Sequence, residues 1–144
     1  MHKRQKIREY VVGILTGLPT TQNRVYSSRI SAIDENTPNA LLIYTQSEES
    51  SPLTLGGGNA TLMRYLSLTV EIFTRSMIDF DDKIDQICTE VEGVMGGDTH
   101  LGGNVLDCQL MGSKVQYYEA DTSIATMLLL YRIGYNTYAN DPTQ

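Results

Sequence analysis

Apolar residues recur every three or four positions at the start of the chain: Ile7, Tyr10, Val11, Ile14, Leu15 and Leu18. That spacing aligns them on one side of a helix and predicts a helix over residues 3–18, stopped by Gly17 and Pro19. Residues 24–30 predict a short strand and DENTPN (34–39) a turn. ALLIYTQS (40–47) opens apolar, as a central strand does, and SEESSPLTLGGGNAT (47–61) reads as a polar, glycine-rich hairpin connection. The run LMRYLSLTVEIFTR, from Leu62, predicts one long strand. Within it Leu66, Leu68, Val70 and Ile72 alternate with Ser67, Thr69, Glu71 and Phe73, so the even-numbered side chains point inward. Phe80, Ile84, Ile87, Cys88, Val91, Val94 and Met95 then mark the stripe of a second helix, ended by Gly96 and Gly97. Asp79, Asp81 and Asp82 fill its first turn, where the helix dipole favours acids. Residues 105–111 and 123–135 predict two more strands joined by GSKVQYYEAD, and residues 136–144 a loose tail. The order α-β-β-β-α-β-β, with strands in runs joined by short polar connections, predicts an α/β chain of the α+β type. A mainly antiparallel sheet of about five strands would carry both helices on one face, in a single domain over 1–144.

Composition narrows the function classes. With 41% hydrophobic and 19% charged residues the 144-residue chain has the balance of a folded globular protein. Its formal charge of −6, from 17 acids against 11 bases, disfavours binding to a phosphate backbone and suits a surface that DNA slides past. The two cysteines, Cys88 and Cys108, sit in no CxxC pair, and His2 and His100 add too little for a zinc site of about four ligands. No metal and no cofactor is expected, nor a disulfide framework, so a reducing compartment is the default. No apolar run approaches the roughly 18 residues of a membrane span. MHKRQKIREY lacks the apolar stretch of a signal peptide, so a soluble protein made inside the cell is expected.

Among candidate sites the glycine loop stands first. A phosphate cradle joins a strand to a helix N-terminus and usually carries a lysine. Here GGGNATLM leads into a strand, and no lysine lies between Lys6 and Lys83. Leu55, Gly56, Gly57, Gly58 and Asn59 therefore read as an arm that orders against a neighbouring subunit. Lys3, Arg4, Lys6 and Arg8 give the first helix a basic start, where the dipole disfavours cations; an acidic partner surface would explain them. The acids of the second helix, Asp81 and Asp82 foremost, lie away from its apolar stripe and form a solvated face, with no calcium-loop pattern beside them. Glu48 and Glu49 follow a buried strand and could pair with Arg64 or Arg75 across the hairpin. Cys88 and Cys108 fall on apolar faces and read as small buried hydrophobes. His100, in GDTHLGGN, has no acid and nucleophile arranged beside it, and no catalytic constellation emerges.

The succession NALLIYTQSEES, a long loop, RYLSLTVEIFTRS, DDKIDQICTEVEGVM, THLGGNVLDCQLMG and ATMLLLYRIGY resembles the tail terminator (minor tail or tail completion) proteins of long-tailed bacteriophages, over roughly residues 7–135. The resemblance implies a structural protein, not an enzyme, without cofactor. It would form a six-membered ring on the head-proximal end of the tail tube, stop addition of tube subunits and offer a surface to the head–tail connector. Its partners would be other copies of itself, the tube protein and neck proteins, with DNA passing as cargo and no membrane. Assembly would take place in the host cytoplasm. A closed ring needs two unlike patches that meet on neighbouring copies. The basic start of the first helix and the acidic face of the second are complementary candidates, and Glu48 and Glu49 are candidates to face the lumen. Two other readings compete: a different neck or head-completion protein, and a ferredoxin-like module that binds a small ligand and dimerises through its sheet.

Overall fold

The computed structural model describes residues 1–27, 38–53, 60–75, 79–119 and 124–144, and at Phe80 and 116–119 the backbone alone. The elements are α1 (Lys3–Leu15), β1 (Val25–Tyr26), β2 (Asn39–Pro52), β3 (Thr61–Arg75), α2 (Phe80–Gly96), β4 (Asp107–Glu119) and β5 (Ile124–Tyr138), with a 3-10 turn at Leu101–Gly103 before β4. The order is the predicted α-β-β-β-α-β-β. The strands form one sheet, β1-β2-β3-β5-β4, antiparallel throughout except where β1 pairs parallel with β2.

The alternation along β3 builds the core. Leu66, Leu68, Val70 and Ile72 are at most 1% exposed. Their cross-strand partners Leu41 and Ile43 on β2, and Leu129, Tyr131 and Ile133 on β5, share the same face. Against it lie Ile7, Val11 and Leu15 of α1 and Ile84, Ile87, Val91 and Met95 of α2, in one cluster. Both helices thus cover one side of the sheet. Each such side chain contributes roughly 1.5–3 kcal/mol on burial.

Several boundaries differ from the sequence pattern, each for a local reason. Helix α1 stops at Leu15 because Gly17 adopts φ 94°, and Leu18 instead bridges to Gln22. Strand β2 does not end near Ser47. Glu48 to Pro52 remain in ladder with Leu66 to Leu62, so the polar SEESS stretch is strand and the connection narrows to residues 53–60. Backbone pairing with β3 holds that stretch extended whatever its side chains. Likewise β4 continues through GSKVQYYE to Glu119, absorbing register shifts between Leu110 and Gly112 and between Val115 and Tyr117. Only Val25 and Tyr26 of the 24–30 strand are paired, and residues 28–37 lie outside the described residues. Strand β5 takes in Asn136, Thr137 and Tyr138 from the segment expected to be loose, and Thr137 is only 2% exposed. Beyond it, the Ala139 amide donates to Ala60 O at 2.7 Å, and the Lys3 amide to Pro142 O at 3.0 Å.

One irregularity decides the site. The β2–β3 register shifts between Thr45 and Ser47, leaving Gln46 as an extra residue. Before it the odd-numbered residues of β2 face the helices; after it Glu48 stands opposite Leu66 and the even-numbered ones do.

Candidate assembly surface

Three charged side chains meet where α1 starts. The Arg4 guanidinium donates to Glu48 Oε2 at 2.9 Å and that of Arg64 to the same oxygen at 3.3 Å. The Tyr135 hydroxyl donates to the other carboxylate oxygen, and Arg64 Nε donates to Thr137 Oγ1 at 2.8 Å. Burial, reinforced by the bond to Glu48, pushes the Tyr135 phenol well above its ordinary range. The Glu48 side chain is 9% exposed and that of Arg64 14%. Glu48, a candidate lumen acid by sequence, is therefore turned toward the helix layer by the bulge at Gln46. Its charge is met within the chain, by one of the two arginines considered for it across the hairpin. Glu49, one residue on, is exposed.

The basic start of α1 is divided in the same way. Arg4 holds Glu48, and Lys3 Nζ donates to Asn136 O at 2.9 Å. Arg8 is half-buried, with an Nε that has no partner, and Lys6 is exposed. Two of the four cations thus serve the fold, because the pairs they need arrive from β2 and β5. His2 caps the helix, its Nδ1 accepting from the Arg4 amide at 3.0 Å. Its pKa is lowered first by burial and then by Arg4 and Arg64.

On α2 the acids Asp81, Asp82, Asp85 and Glu92 are exposed. Glu90 is not part of that free face: it accepts from the Thr20 amide at 3.0 Å and from the Thr20 hydroxyl at 2.6 Å. Asp98 accepts from the Tyr10 hydroxyl at 2.6 Å and the Gly102 amide at 3.0 Å, which lower its pKa. His100 Nδ1 lies 3.0 Å from Leu106 O. These bonds order the turn before β4. Burial raises the Cys88 thiol to about 11 and that of Cys108 to about 12, so both stay protonated. Among the described residues no three His, Cys, Asp or Glu side chains are grouped to hold a metal. Leu55, Gly56, Gly57, Gly58 and Asn59 lie outside the described residues.

The sheet's other face carries a feature that the sequence pattern did not mark. Arg132 on β5 pairs in register with Ser67 on β3 and Gln109 on β4, pointing away from the helices. Its guanidinium lies 3.9 Å from the centroid of the Tyr65 ring. Beside it is an open concavity of about 360 Å³, lined by Gln46, Ser47, Glu49, Ser67, Thr69 and Met111 among others. The Thr69 hydroxyl, in a residue 1% exposed, has no hydrogen-bond partner. The available signal was a single arginine in the apolar run ATMLLLYRIGY, at an outward parity. At the open edge, Leu106, Leu110, Met111 and Val115 are 41% to 61% exposed.

The family model of phage minor tail protein U matches residues 2–135. The chain belongs to that family. It is a phage tail protein, a structural component of the virion. No curated protein sequence matches the chain. Among solved structures it is similar to a chain of the virion of a native gene transfer agent particle, with a TM-score of 0.54 and 11% identity over 94% of this chain and 92% of that one. At that identity the likeness concerns the fold.

Proposed function

We propose that the chain is a tail terminator: a hexameric ring that caps the head-proximal end of the tail tube, stops tube polymerisation and presents the head–tail joining surface. The observation that carries this reading is the family match over residues 2–135. The two-layer build supports it. Helices cover one side of the sheet and an open concavity lies on the other, so each copy has the two unlike faces that a head-to-tail ring requires. The arm at residues 55–59, the acids Asp81 and Asp82 and the remaining cations Lys6 and Arg8 are the proposed contact residues. The partners are further copies, the tube protein and the connector, with DNA as cargo.

The test is the mass of the purified protein in solution, with and without tail tubes, followed by imaging of labelled protein on tubes. A ring, free or formed only at one tube end, is the expected result. A monomer or dimer indifferent to tubes would refute the reading and favour a small-ligand module. A ring that binds heads but never tubes would move the chain to another place in the neck.

A further inference from the structure

We infer that the concavity beside Arg132 is the acceptor site for helix α2 of a second copy, an aspartate of that helix pairing with the guanidinium. The inference rests on the ring reading above and names the contact.

Arg132 is exposed, and among the described residues it forms no ion pair within 4.0 Å, although Glu49 and Asp107 line concavities beside it; its guanidinium lies 3.9 Å from the centroid of the Tyr65 ring. Stacking holds the planar guanidinium with its N–H edges free, the arrangement suited to a carboxylate. Thr69, 1% exposed, also borders the concavity, with its hydroxyl buried and unpartnered. Glu49 stands on the same concavity, so the occupant must bring a cation for it as well.

Among the described residues, α2 presents that combination in reverse. The first turns of α2 present Asp81, Asp82 and Asp85, exposed, with the half-buried Lys83 between them. None of these four side chains has an ion-pair partner within 4.0 Å among the described residues. Asp to Arg132 and Lys83 to Glu49 complete each other. The start of α1 fits less well, because Arg4 and Lys3 are already engaged with Glu48 and Asn136.

The two patches lie on opposite sides of the sheet, since α2 packs on the face of Tyr131 and Ile133 while Arg132 points away. A copy cannot satisfy itself. The α2 surface of one copy meets the Arg132 concavity of the next, and repetition of that step gives a head-to-tail series that closes or extends.

The test is a charge exchange read by sedimentation in the presence of tail tubes. Arg132→Glu should raise the protein concentration for half-assembly by about tenfold or more. Asp81→Lys, Asp82→Lys and Asp85→Lys together should do the same, and the four changes combined should recover assembly. Melting curves report folding, and Arg132→Gln, which adds no repulsion, should weaken assembly while melting like the parent. Assembly of Arg132→Glu at the parent's concentration, or no recovery in the combined variant, would overturn the contact while the ring reading stands. A parent protein that never assembles overturns both.

Discussion

Replacing Glu48 with alanine removes the single acceptor shared by Arg4, Arg64 and Tyr135. Deleting one partner of a fully buried pair costs about 3–5 kcal/mol, because the remaining charge is left desolvated. Here the penalty is divided. The Arg64 side chain, 14% exposed, cannot reach bulk water easily, while that of Arg4, 41% exposed, can. An exposed pair contributes about 0–1 kcal/mol. The expected loss for Glu48→Ala is therefore about 2–4 kcal/mol, nearly all from Arg64 and the orphaned Tyr135 hydroxyl. At about 2–4 °C per kcal/mol for a chain of this size, the melting temperature should fall by roughly 4–16 °C. Thermal unfolding at neutral pH, followed by circular dichroism, measures it. Arg4→Ala should cost about 1 kcal/mol or less. Glu48→Leu combined with Arg64→Leu should regain much of the loss, since apolar packing can replace a buried pair. A Glu48→Ala protein that melts within about 2 °C of the parent would refute the reasoning. So would an Arg4→Ala variant as damaging as Arg64→Ala.

Three further outcomes follow from individual groups. Tyr131 has a buried hydroxyl without a partner, so Tyr131→Phe should hold or raise stability, by up to about 1 kcal/mol; a clear fall in urea midpoint would contradict that. The Cys88 and Cys108 thiols should resist a disulfide reagent at pH 8 in the folded protein and both react in denaturant. Their raised pKa values of about 11 and about 12, against 9.0 ordinarily, favour the protonated form. Their contribution to stability is thus full below pH 9 and lost as the pH climbs through 11 and 12, which alkaline melting curves would record. Gly102 has φ 67°, and an added Cβ would lie 2.7 Å from the Tyr10 hydroxyl that Asp98 holds. Gly102→Ala should therefore cost about 1–3 kcal/mol by chemical denaturation.

The order of elements and the inward face of β3 were legible because they rest on periodicity, which burial imposes directly on residue type. The extents of β2 and β4 were not. SEESS and GSKVQYYE carry little alternation, and they are strands because β3 and β5 offer them a ladder. The candidate surface was legible as an inventory of charges and not as pairs. Arg4 finds its acid 44 positions away and Tyr135 finds the same acid 87 positions away. Which cations stay free for a partner depends on those long-range meetings, so the choice between Lys3, Arg4 and Arg132 could not be made from local sequence. The arm at residues 55–59 lies outside the described residues and remains a proposal.

The extra residue at Gln46 has a consequence for how this chain tolerates length change. Thr45 pairs with Leu68 and Ser47 with Ser67, so removing Gln46 joins two already matched rungs and leaves Glu48 opposite Leu66. A deletion further along β2, between Glu48 and Pro52, has no such slack and would exchange the two sides of everything after it. One codon can therefore be lost at position 46 without disturbing the carboxylate that ties α1 to the sheet, and the same loss a few codons later would rewrite the hairpin's surface.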